Sequence, residues 1–135
     1  MKRLDCLADL SREHHGALSL AVRVSRVAAG ADAAAIAAAS DLVRERCAAE
    51  LLPHFAEEER WLLPALAEAG ETGRVARTLA EHAELRRLAE QLAAPSAADL
   101  AAFADYLVAH IRFEERELFP AAEAHPDILA RHAAR

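Results

Sequence analysis

The chain has 135 residues, of which 54% are hydrophobic and only 4% aromatic, and 22 acidic against 16 basic residues give it a formal net charge of −6. That length is enough for one domain with a buried core, so a single domain over residues 1–135 is expected. Strong helix formers dominate and β-branched residues are sparse, which predicts an all-α fold, and with no dense basic run no nucleic-acid partner is expected.

The first helical stretch runs from Leu4 to Ala29 and stops at Gly30. Arg23 and Arg26 interrupt its apolar run, so it is too polar to span a bilayer. The preceding Met1-Lys2-Arg3-Leu4-Asp5 lacks the apolar stretch of a signal peptide, and a cytoplasmic location is the default expectation. The second stretch runs from Ala34 to Ala69 and stops at Gly70. Pro53 and Pro64 lie inside it, and each is expected to kink or break the helix. The third runs from Thr72 to Ala93, ending before Pro95. The fourth opens on Ser96, a good N-cap with Asp99 three residues on, and runs to Ala124. Pro126 begins a short tail of one or two further helical turns. Short connections make neighbouring helices antiparallel, giving an up-down-up-down four-helix bundle. Cys6 and Cys47 are far apart with no CxxC between them, and they read as free thiols.

The second and fourth stretches echo one another. His54-Phe-Ala-Glu-Glu-Glu-Arg-Trp-Leu-Leu-Pro64 and His110-Ile-Arg-Phe-Glu-Glu-Arg-Glu-Leu-Phe-Pro120 carry His, a Glu pair, Arg and Pro at the same offsets. On a wheel of about 100° per residue, His54 and Glu58 fall on the apolar stripe through Cys47, Leu51, Leu62 and Ala65. Glu57 and Glu59 flank it. His110 and Glu114 fall on or beside the stripe of Leu100, Phe103, Leu107 and Ile111, with Glu115 toward its edge. His14 sits near the centre of the first stripe, with His15 to one side, and Val75, Leu79 and Ala83 flank His82.

Each of the four helices therefore sends a His toward a common core, and two add a Glu one turn later on the same face. Ionised carboxylates in an apolar core cost several kcal/mol each unless a cation compensates them. A pair of metal ions resolves this, with neutral imidazole nitrogens filling further positions. The donor set is nitrogen and oxygen without thiolate, which suits iron or manganese, with zinc possible. His125 and His132 fall in the tail and are expected at the surface, Tyr106 one turn before His110 is within reach of the site, and Trp61 reads as packing.

With Arg12-Glu-His-His, His54-Phe-Ala-Glu-Glu-Glu-Arg, Glu81-His-Ala-Glu-Leu-Arg and His110-Ile-Arg-Phe-Glu-Glu-Arg-Glu-Leu-Phe-Pro in place, the chain resembles the hemerythrin-like, HHE cation-binding proteins over nearly its whole length. The resemblance implies a four-helix bundle with an oxo- or hydroxo-bridged pair of non-haem irons. It also implies functions in oxygen binding, sensing, iron handling, or nitric oxide and peroxide chemistry. By the same resemblance His14, with His15 the alternative, and His54, His82 and His110 are terminal ligands, Glu58 bridges, and a Glu after His110 completes the set; the internal echo and the wheel favour Glu114 over Glu115 as that second bridge. Two departures from the oxygen carriers stand out. Those have HxxxH on the third helix, where Arg86 stands here, and they place the last carboxylate at the position of Glu115. The pattern H-HxxxE-H-HxxxE resembles instead the branch with iron–sulfur repair and iron-sensing members. The leading expectation is a di-iron protein engaging dioxygen, peroxide or nitric oxide. Its rivals are a di-iron enzyme with peroxidase, catalase-like or oxidase activity, and a metal-free structural bundle. Any signal would pass to a separate protein partner.

Overall fold

The computed structural model describes residues 3–134, so Met1, Lys2 and part of the N-terminal segment read above for a leader lie outside the described residues. Among the described residues there are five helices and no strand: α1 (Asp5–Ala29), α2 (residues 33–68), α3 (Thr72–Gln91), α4 (residues 97–123) and α5 (Pro126–Ala133). Among the described residues no helix is long and apolar enough to cross a membrane.

Local chemistry sets the ends. The Asp32 carboxylate accepts from the Ala34 N–H at 3.0 Å and starts α2. Gly70, at φ +90°, ends it. There the Glu71 N–H donates to the Leu66 carbonyl at 2.9 Å and the Gly70 N–H to Ala67 at 3.1 Å, which is the paired bond pattern of a left-handed helix stop. The Ser96 hydroxyl accepts from the Asp99 N–H at 3.2 Å and opens α4, as its position in the sequence predicts. Pro126 occupies the first turn of α5.

The prolines inside α2 leave the chain helical on both sides of them. Neither Pro53 nor Pro64 breaks the helix; each follows a π-helical turn, Cys47–Leu51 and Glu58–Leu62. Pro120 in α4 follows a third such turn, Glu114–Leu118. In each case the residue just before the proline donates to the carbonyl five back: Leu52 to Cys47, Leu63 to Glu58, Phe119 to Glu114. A proline clashes with the carbonyl four residues before it. Those carbonyls belong to Ala49, Arg60 and Arg116, all inside the widened turns, so the chain accommodates the ring by winding wider ahead of it.

The apolar core is two clusters. One gathers Ala17 to Val24 of α1 with Leu51, Phe55, Leu85, Phe103 and Leu107; the other gathers Leu7 and Leu10 with Trp61, Leu66, Leu118 and Leu129. Along α1 and α3 the chain passes from the second cluster to the first, and along α2 and α4 from the first to the second. The helices therefore alternate in direction, up-down-up-down. His14, His54, Glu58, His82, His110 and Glu114 fall where each helix crosses between clusters, so they form a polar layer sandwiched by two apolar ones.

Candidate metal centre

All six residues of that layer are buried, and Glu58, His82 and Glu114 have no exposed surface at all. Their ligand atoms form two groups, His14–His54–Glu58–Glu114 and Glu58–His82–His110–Glu114, each with its atoms within 4.8 Å of one another. Both carboxylates are common to the two groups, and each turns one oxygen to either side. Glu58 Oε2 lies 3.5 Å from His54 Nε2, while its Oε1 lies 3.0 Å from His82 Nε2. Glu114 Oε1 lies 2.8 Å from His14 Nε2, while its Oε2 lies 3.3 Å from His110 Nε2.

The outer nitrogens of the four imidazoles are equally well defined. His14 Nδ1–H donates to Glu115 at 2.6 Å and His82 Nδ1–H to Glu59 at 2.7 Å. His54 Nδ1–H donates to Glu13 at 2.8 Å and His110 Nδ1–H to Glu81 at 2.7 Å. The two halves of the bundle thus share one scheme. The second Glu of each HxxxEE segment holds the lone His of another helix, and the Glu before each lone His holds the first residue of an HxxxE. With Nδ1–H held from outside, Nε2 is the nitrogen aimed inward, which is the orientation that carboxylate–histidine pairs give to metal-ligating imidazoles. The widened turns matter here, because Glu58 and Glu114 open them: one residue points into the layer while its neighbour reaches sideways to the next helix.

The protein groups by themselves do not satisfy the layer. His54 Nε2, Glu58 Oε2, His110 Nε2 and Glu114 Oε2 are buried without a hydrogen-bond partner among the described residues. Burial pulls the His54 pKa down, but the Glu114 and Glu58 carboxylates outweigh it and bring it to about 11. The same contest, against Glu114 and Glu58, brings His82 and His110 to about 9, and for His14 it is Glu114 and Glu115 that outweigh burial and raise it. Burial pushes Glu58 up, with the Glu114 charge adding to it, whereas the surrounding imidazoles of His110, His14 and His54 overcome the burial of Glu114 and hold it well below the usual carboxylate range. Such a group of charges fits a cation pair. The donor set is four imidazole nitrogens and the four oxygens of two shared carboxylates, without thiolate.

Several alternatives left open by the sequence are resolved. His14 faces the layer and His15 is exposed. Glu114 lies in the layer; Glu115 serves His14 from outside, also accepting from the Ser11 hydroxyl at 2.9 Å and from Arg3 at 3.1 Å, and these partners outweigh its burial and hold its pKa at about 2. Arg86 does not enter the layer. It lies 3.4 Å from Glu59, with its guanidinium 5.6 Å from the Phe55 ring, and Phe55 stacks on His82 at 4.0 Å and closes that side. Tyr106 packs against the first apolar cluster and hydrogen-bonds none of the six. Trp61 is buried in the second cluster, and both cysteines are free thiols. His125 and His132 are half-buried rather than fully exposed, and His132 pairs with Glu68 at 2.5 Å. The outer carboxylates Glu13, Glu59 and Glu81, which hold His54, His82 and His110, are the residues around the layer that sequence reasoning did not single out. Their signal was the Glu adjoining each layer residue: Glu13-His14, Glu58-Glu59, Glu81-His82 and Glu114-Glu115.

Opposite Arg86, a cavity of about 550 Å³ opens between α1, α2 and α4 and reaches His14, His54 and His110, with Glu13 and Gly16 near its mouth and Leu107 on its wall.

Fold and layer together define a helical bundle with a buried His/Glu centre suited to cations. The chain belongs to the hemerythrin HHE cation-binding domain family, whose model matches residues 6–122. No match was found among curated proteins or among solved structures.

Proposed function

We propose that the protein binds two iron ions, one between His14 and His54 and one between His82 and His110, bridged by Glu58 and Glu114, and that it engages dioxygen, peroxide or nitric oxide there for sensing, iron handling or stress defence. The observation that carries this reading is the sharing of both carboxylates, one oxygen to each side, between two imidazole pairs. When bound, iron supplies ligand binding and one-electron chemistry. The chain's own residues orient the imidazoles through Nδ1, flank the centre with an apolar cluster on either side, and offer four protein donors to each ion. Four donors leave positions open for an outside ligand, as in metal sites that do chemistry rather than only hold structure. The four unpartnered buried atoms weigh against a bundle that uses these residues only for structure.

The test is metal analysis of aerobically purified protein together with its absorption spectrum. About two irons per chain with near-ultraviolet charge-transfer bands are expected, and a chain that folds but stays metal-free when supplied with ferrous iron overturns the reading. A second reading, an enzyme acting on peroxide or oxygen, draws support from the cavity that reaches His14 and His54. Peroxide consumption that disappears in Glu58→Ala distinguishes it from passive binding.

A further inference from the structure

The four outer carboxylates are alike in their bond to an imidazole and unlike in everything else. Glu115 is held by Arg3 at 3.1 Å and Ser11 at 2.9 Å, Glu81 by Arg77 at 2.8 Å, and Glu59 faces Arg86 at 3.4 Å. Glu13 has no partner among the described residues besides His54. Its side chain is also the most open of the four, 54% exposed against 30% for Glu115, 31% for Glu59 and 13% for Glu81. The cavity lies on this same side. It is lined by Glu13 and by both imidazoles of the His14–His54 position, whereas of the other position it reaches His110 alone, and His82 lies behind the stacked Phe55 ring. His54 is 95% withdrawn from solvent by its own 5% exposure, and its unpartnered Nε2 faces the layer that this cavity reaches. Gly16 stands at the mouth inside α1, where helix propensity disfavours glycine by about 1 kcal/mol relative to alanine. A Cβ there would meet only the Arg46 guanidinium, at 3.9 Å, so close packing does not demand the glycine. It leaves that stretch of the lining without a side chain.

We propose that the two cation positions are unequal: the His14–His54 position exchanges its divalent cation through this cavity, with Glu13 as the positioning residue that holds His54 by a single unbraced bond, and the His82–His110 position is the retained one. This rests on the two-cation reading above and adds to it an order of entry and release. The physical basis is that an imidazole ligand is only as fixed as the carboxylate behind it. Loss of such a partner typically weakens metal binding by about 10- to 100-fold, and a partner that is exposed and unbraced has given up part of that hold already.

The experiment loads the full chain with two equivalents of zinc and follows release to an excess of the colorimetric chelator 4-(2-pyridylazo)resorcinol. The expected result is two phases of equal amplitude, one zinc each. Glu13→Gln is expected to quicken the fast phase by about 10-fold or more and leave the slow phase unchanged. Glu81→Gln, which touches His110, is expected to quicken the slow phase alone. Gly16→Leu narrows the mouth and is expected to slow the fast phase several-fold while the chain still takes up two zincs. A purely structural role for Glu13 would alter both phases together. Two zincs leaving in a single phase, or a fast phase indifferent to both Glu13→Gln and Gly16→Leu, overturns the inequality while leaving the two-cation reading intact. A chain that takes up no zinc and no iron overturns both.

Discussion

At the scale of single residues, the decisive feature is two glutamates with no exposed surface set among four imidazoles. A buried carboxylate costs several kcal/mol unless it is compensated, and here each one faces both sides of the layer. That geometry makes unequal demands on the six residues. Glu58→Ala removes an oxygen from both groups, so bound metal is expected to fall from about two ions per chain to none. His82→Ala removes a donor from one group only, and about one ion is expected to remain. Elemental analysis of the two variants after iron loading checks the difference; equal loss in both would refute the sharing. Much of this was legible in the sequence, because a His at the centre of an apolar stripe and a Glu one turn later are anomalies that helical periodicity exposes. The outer carboxylates were not legible in the same way. Glu13 and Glu81 lie off the apolar stripes and read as ordinary solvated charge; only the packing of α1 on α2, and of α3 on α4, brings them to His54 and His110. Arg86 was conspicuous for the opposite reason. It stands one turn after the buried His82 on the same helix, yet its side chain turns to Glu59 and the Phe55 ring.

At the scale of elements, helix positions followed from periodicity and punctuation, since Gly30, Gly70, Ser96 and Pro126 mark boundaries by mechanisms that act locally. Ser96→Ala removes the cap of α4 and is expected to lower unfolding stability by about 1 kcal/mol, read by urea denaturation, without changing metal content. The internal prolines resisted a local reading. A proline in a helix can break it, bend it or be absorbed in a wider turn, and which occurs depends on whether neighbouring helices hold the two halves in line. Here the recurrence of Glu, Arg and Pro at fixed offsets in both halves was the available sign that Pro64 and Pro120 share one solution. The tail shows how a short helix contributes. Leu129 of α5 is fully buried in the second apolar cluster, and Arg131 and His132 both reach Glu68 at the end of α2, at 2.9 and 2.5 Å. Exposed ion pairs of this kind contribute little, so the apolar anchor dominates: Leu129→Ala is expected to cost about 2–5 kcal/mol in the same denaturation assay.

At the scale of the whole molecule, the polar layer couples stability to protons and to metal in opposite senses. Without a cation, the layer's imidazoles draw protons from their carboxylates. The folded-state values of His82 and His110 rise to about 9 and that of His54 to about 11, against an ordinary value of 6.5. A group whose pKa is raised by folding adds stability that is fully present below its unfolded value and is lost as the pH climbs through its folded value. The metal-free protein should therefore weaken from about pH 6.5 upward, first as His82 and His110 titrate and later as His54 does. A cation needs those same nitrogens bare, so binding displaces the protons and its affinity rises with pH over the same window. Binding only to the folded state adds stability in proportion to the logarithm of the affinity. The two trends predict that the melting temperatures of metal-free and zinc-loaded protein diverge between pH 6.5 and 9. A widening on the order of 5 °C or more is expected, since about 1 kcal/mol shifts the melting temperature of a domain this size by several degrees. Differential scanning fluorimetry at matched ionic strength measures both curves. A gap that narrows as the pH rises would mean that the imidazoles do not exchange protons for metal, and the layer would then be a buried ion network stabilised by its own charges.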